Sequence, residues 1–152
     1  MKSNKKEISI ALRFSDNFAP EAGTIRCHQD LIQNNGYVWY GKLGSAVSDK
    51  VIKTVLENDR PRILLIHSGK TDRYWAYIED ISKSVPPEKD IPSYYRSMRG
   101  KFKTWFKITR LEIAPKNILS KCYVKSSRTL LGETSKHSMS PYFIIEMENE
   151  YE

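Results

Sequence analysis

Residues 101–113 read KFKTWFKITRLEI, and their spacing organises the rest of the chain. Phe102, Thr104, Phe106 and Ile108 fall on one face, while Lys101, Lys103, Trp105 and Lys107 fall on the other. That period of two predicts a long β-strand.

Upstream, residues 82–100 carry Pro86, Pro87 and Pro92 and read as a long polar loop, a length usually tied to function or disorder. Before it, RILLIHS and RYWAYIEDI are joined by GKTD. The first is a continuous apolar run, as in a buried strand, and the short glycine-containing turn predicts a hairpin. Further back, YVWY at 37–40 predicts a strand with Tyr37 and Trp39 on one side and Val38 and Tyr40 on the other. A glycine-rich basic turn follows it. Ser48 is a candidate N-cap for a helix whose Val51, Ile52, Val55 and Leu56 form one stripe. An earlier helix is expected from Thr24, as its cap, to the Asn35-Gly36 stop, with Ile25, His28, Leu31 and Ile32 on one face. Residues 7–12 read as a short strand, 125–141 as a Ser/Lys-rich loop and YFIIEM as a closing strand. Five or six strands and two or three helices predict an α+β domain around a curved sheet.

The chain has 152 residues, enough for one domain with a real core and too few for two ordinary ones. Its 39% hydrophobic and 11% aromatic content argues against a disordered chain. Net charge is +7, and the tail EMENEYE holds four of the 18 acids, so the remainder stands at +11. Such a balance favours a polyanionic partner, although basic charge alone is a weak signal. Cys27 and Cys122 have neither metal nor disulfide-framework spacing. With no apolar leader and no long apolar run, the expectation is a soluble cytoplasmic protein without a membrane partner. Residues 1–6 and 148–152 are expected to be flexible ends of a single domain spanning 1–152.

No nucleophile–base motif, Walker loop, dinucleotide fingerprint or metal cluster stands in the sequence, so no cofactor and no metal are expected. GKLGS and SGKTD resemble phosphate loops in composition only. The distinctive feature is aromatic residues beside basic ones. Tyr37, Trp39 and Tyr40 precede Lys42; Tyr94 and Tyr95 precede Arg96 and Arg99; Trp105 sits among lysines. Flipped or single-stranded bases stack on aromatic faces while cations hold the flanking phosphates. Taken one at a time, these rings are better explained as core. Tyr94-Tyr95 is the exception, because it lies in a loop. Lys42, Arg96, Arg99, Lys101 and Lys103 are the candidate phosphate contacts.

The order of YVW, a turn, a helix, RILLIHSGKTDRYWAYIEDI, a long loop and RGKFKTWFKITRLEI resembles the YTH domain. That family belongs to the PUA-like group, alongside EVE domains and the modified-DNA-reading modules of McrB-type restriction systems. The YTH run W-K-G-x-F-x-V-x-W is similar to MRGKFKTWF at 98–106. The resemblance spans roughly 36–147 and implies a barrel-like mixed sheet flanked by two or three helices. It also implies an aromatic cage for a modified base. Trp39 matches the first cage tryptophan, and the long loop offers Tyr94 or Tyr95 for the second. The third falls at Met98, a departure, since a thioether makes a poorer wall for a methyl or cation. The polar residue at the helix start has its nearest counterparts in Ser48 and Asp49.

The expected function is therefore capture of a methylated or otherwise modified base of DNA or RNA, without catalysis. The resemblance adds nucleic-acid modification or defence systems as the setting. Two rivals remain: a small ribonuclease of the ASCH type, using a lysine with a tyrosine or threonine, and a protein-interaction adaptor with an incidental basic surface.

Overall fold

The computed structural model describes residues 6–14, 23–67, 72–95, 99–138, 140 and 142–148, the side chains at 43, 99 and 137 apart. Its strands are β1 (Lys6–Phe14), β2 (Val38–Leu43), β3 (Arg62–His67), β4 (Arg73–Ser82), β5 (Phe102–Ile113), β6 (Tyr123–Val124) and β7 (Tyr142–Glu148). Three helices accompany them: α1 (Thr24–Asn35), α2 (Asp49–Leu56) and α3 (Leu131–His137).

The strands form one mixed sheet in the order β2-β5-β4-β3-β1-β7-β6, in which only β1 and β3 run parallel. The sheet curves without closing. Its edge strand β2 nevertheless reaches β7, where the Lys42 ammonium lies 4.0 Å from the centre of the Tyr142 ring. The expected α+β architecture with a curved, barrel-like sheet is the one observed.

The central strands bury both faces. Ile63 and Leu65 of β3 join Ile10, Leu12, Val38, Tyr40, Ile78, Phe106 and Ile108 in the inner core, against which α1 and α2 pack. Leu64 and Ile66 point the other way, with Trp75, Phe143, Ile145 and Met147, into a second layer closed by Ile118, Cys122, Val124 and Leu131. This is why RILLIH reads as an unbroken apolar run. The helix signals hold at α2, where Ser48 Oγ accepts from the Val51 amide. They hold at the end of α1 too, where Gly36 takes φ 88° and its N–H bonds to Ile32 O. Thr24 does not cap α1. Gly23 occupies that position without a side-chain bond, and Thr24 is the first helical residue, buried at 4% exposure.

Several boundaries differ from the sequence expectation. Strand β1 covers 6–14 rather than 7–12, because β7 pairs with residues 6–12 and β3 with residues 11–14. Residues 125–141 are not one loop, since α3 forms within them. Its C-terminal end is held by Arg13, which donates to the carbonyls of Ser135 (2.5 Å), Ser138 (2.7 Å) and Ser140 (3.0 Å). The acidic tail begins inside β7, so Glu146 and Glu148 are strand residues and Met147 is buried. The GKTD turn lies outside the described residues apart from Asp72.

One ion pair is buried among the described residues. Arg62 holds Glu7 in a two-pronged pair, Nε to Oε2 and Nη2 to Oε1, each at 2.9 Å. Its guanidinium also lies 3.7 Å from the Trp75 ring centre, and its carbonyl accepts from Ser9.

Candidate nucleic-acid interface

Strand β2 continues through Gly41 and Lys42 to Leu43, where the sequence predicted that it would give way to a turn. Tyr37 just before the strand, then Trp39 and Gly41, follow one another on one side, and the long 83–101 segment is tied down on both sides of Trp39. On one side the Tyr37 hydroxyl donates to Asp90 Oδ1 at 3.0 Å. On the other, the Tyr95 hydroxyl is hydrogen-bonded to the Gly41 backbone. Short 3-10 turns stand at Glu88–Asp90, Ser93–Tyr95 and Arg99–Lys101. The segment's described stretch 86–95 is thus a strap anchored on the sheet by the buried Asp90, Ile91 and Tyr95.

Ile91 and Tyr95 of the strap form a third apolar cluster with Phe102 and Trp105, against which Trp39 and Tyr94 pack half-buried. Trp105 does not stand exposed among lysines; it is fully buried. The pairing shifts between Lys42–Thr104 and Leu43–Phe102, leaving Lys103 as the extra residue. That bulge breaks the alternation and turns Phe102 to the side of Trp105, with ring centroids 5.0 Å apart. Thr104, Phe106 and Ile108 face inward as predicted.

Gly41 is required here. A Cβ on it would come within 2.6 Å of the Phe102 ring. Gly41→Ala is therefore expected to destabilise the fold by about 1–3 kcal/mol, the usual cost of overpacking, measured by urea unfolding.

The predicted site residues separate into groups. Trp39 and Tyr94 are brought together on one cluster. Tyr95 is buried beneath them, its phenol pushed well above the ordinary range by loss of water. Tyr40 faces the inner core, where burial likewise raises its hydroxyl. His28 sits between these two rings, 5.1 Å from Tyr40 and 5.3 Å from Tyr95 by centroid, and its Nδ1 bonds Thr24 O at 2.8 Å. Ser48 and Asp49 stand at the start of α2. Their contacts are with the Val51 amide and with Lys83 Nζ at 2.9 Å, not with the ring cluster. Met98 and Arg96 lie outside the described residues, as does the side chain of Arg99. Lys101 and Lys103 are exposed beside Phe102.

Lys42 is not an exposed turn residue. It points inward from β2 at 3% exposure, donates to Ser45 O at 2.6 Å, and has its proton affinity lowered by burial. There it pins the turn before α2, whose Val47 amide donates to Thr104 Oγ1 at 3.0 Å. What reading by sequence missed is Ile91, the turn of Phe102 to the side of Trp105, and the Tyr37–Asp90 tie. A hydrophobic count over the strap would have marked Ile91; the bulge that redirects Phe102 leaves no local signal.

Searches of curated proteins and of solved structures returned no match. A family model does match: it is the Pua-like family, and it aligns with residues 10–149. The match is to that family as a whole and does not separate its YTH, EVE and restriction-module branches. Strand order, curved sheet and family match agree, and the chain belongs to the PUA-like family.

Proposed function

We propose that the protein is a nucleic-acid-binding module that takes a methylated or otherwise modified base between Trp39 and Tyr94. Membership of the PUA-like family suggests nucleic-acid binding. The observation that carries the finer reading is that two half-buried rings, Trp39 and Tyr94, pack against one buried apolar cluster. Rings held so are already ordered, which lowers the entropy lost on stacking a base. Lys101 and Lys103 flank that cluster and supply cations for the adjoining phosphates. Components of modification or defence systems are the partners that this reading favours.

The test is a binding panel of single- and double-stranded DNA and RNA, each with a plain and a methylated base, read by fluorescence anisotropy. Stacking on one ring is worth about 1–3 kcal/mol, so Trp39→Ala and Tyr94→Ala should each weaken binding roughly ten- to a hundred-fold. The loss should be larger for the modified base. Tyr95→Ala should instead lower stability, because that ring is buried. Affinity should fall with salt, and Lys101→Ala or Lys103→Ala should each flatten the log–log slope by about 0.7 on single strands. Binding that ignores salt throughout would remove nucleic acid as the ligand.

A second reading, RNA cleavage, has one observation in its favour. Lys42, with lowered proton affinity, pairs in register with Thr104 and stands over Tyr142. Against it, the ammonium is engaged by Ser45 O and shielded from solvent. The binding reading expects no cleavage of labelled RNA with or without divalent metal. Cleavage abolished by Lys42→Met in a folded, RNA-binding variant would establish the enzyme instead.

A further inference from the structure

Three large apolar side chains are exposed among the described residues, Val85, Ile113 and Tyr123. Of these, only Tyr123 stands between lysines. Burial alternates from Lys121 to Lys125: Cys122 and Val124 turn into the outer core layer, whereas Lys121, Tyr123 and Lys125 face solvent. Tyr123 remains 46% exposed. Glu146 lies directly opposite it on β7 as the one acid in register with this strip.

The turn that follows is fixed in shape. The Val124 amide donates to Thr129 O and the Arg128 amide to Val124 O, both at 2.8 Å, while the Lys125 amide reaches Ile144 O at 2.9 Å. Ser127 and Thr129 share a hydroxyl bond at 2.7 Å, and Thr129 is bonded onward to Thr134 on α3. Arg128 takes φ 63°, the left-handed value that no other non-glycine residue adopts among those described. A residue keeps such a conformation when its surroundings impose it. The result is an exposed guanidinium on a stapled turn, next to an exposed ring and an exposed ammonium.

We propose that the β6 turn is a second single-stranded nucleic-acid contact, in which Tyr123 stacks a base while Lys125 and Arg128 hold the phosphates on either side. A ring with cations flanking it recognises a nucleobase and its backbone together. Neither the strip nor its turn includes any residue of the Trp39–Tyr94 pair, and β6 is the opposite edge of the sheet from β2. The inference shares a nucleic-acid partner with the proposed function but not its site.

The experiment measures affinity of the full chain for a fluorescein-labelled, mixed-sequence single-stranded RNA of about 16 nucleotides, the upper end of common single-strand site sizes. Tyr123→Ala is expected to weaken binding about tenfold, as loss of one stacked base does. Arg128→Gly removes the cation while suiting the left-handed backbone, so it should fold normally. It should lose affinity at low salt and flatten the salt slope by about 0.7. Melting curves check the fold of both. If both variants bind within about twofold of wild type, the second contact is overturned. If only they lose affinity, and Trp39→Ala and Tyr94→Ala do not, the ring-pair reading fails while this one stands; the reverse pattern rejects this one alone.

Discussion

Arg62→Ala is expected to cost about 3–5 kcal/mol of folding stability, the range for removing one partner of a buried ion pair. The pair is 8% and 5% exposed by side chain, so the Glu7 carboxylate left behind would have neither its two charged hydrogen bonds nor water to replace them. The variant also empties the space over Trp75 and removes a donor from Met147 Sδ. Against a domain stability of about 5–15 kcal/mol, that is a large share. The charge argument has its own control, because an apolar pair of similar volume needs no partner. Glu7→Leu combined with Arg62→Met should recover most of the loss in urea unfolding. A double variant as unstable as the single one would show that the site depends on packing shape and not on an orphaned charge.

Acid should weaken the fold through His28. Burial holds its imidazole at about 4, below the ordinary 6.5, against the smaller opposing effect of the Thr24 carbonyl. The unfolded chain therefore takes up a proton on this side chain at a pH where the folded chain does not. Stability from this group is whole above about pH 6.5, falls as pH drops toward 4, and levels off below that. The gap corresponds to about 3 kcal/mol, at roughly 1.4 kcal/mol per pH unit. Carboxylates titrate at the lower end of the same window, so the comparison is with His28→Gln, whose stability should be flatter between pH 6.5 and 4. Parallel pH profiles for the two proteins would mean that His28 is charged or hydrated in the fold. Because its ring touches both Tyr40 and Tyr95, the same titration should loosen the packing beneath Trp39 before global unfolding.

The sequence was most legible where one physical signal acted alone. Ser48 and Gly36 mark helix ends because a cap and a left-handed residue are local requirements, and the structure places both at those ends. RILLIH announces a strand buried on both faces. Long-range pairing was not legible. Trp105 alternates with lysines in sequence, yet the extra residue at Lys103 turns Phe102 to its side, and Ile91 and Tyr95 of the strap cover the ring. Tyr94 and Tyr95 look equivalent as neighbours in a polar segment; the bond between the Gly41 backbone and the Tyr95 hydroxyl and the packing of Tyr95 in the cluster make one buried and leave the other half-buried. Lys42 read as a turn cation because glycines flank it. The pairing of β2 with β5 carries the strand through those glycines and turns the lysine inward.

The three tryptophans provide the most direct measurement of the central claim, that a base stacks against Trp39. Trp39 is half-buried at the candidate site, Trp105 is enclosed in the cluster below it, and Trp75 belongs to the outer layer on other strands. Their indole N–H signals can be followed in ¹H–¹⁵N spectra, assigned by single Trp→Phe variants, while a single-stranded oligonucleotide carrying a methylated base is added. The account predicts a large ring-current shift for Trp39, a smaller one for Trp105 and none for Trp75. Saturable binding that leaves the Trp39 signal in place would contradict it.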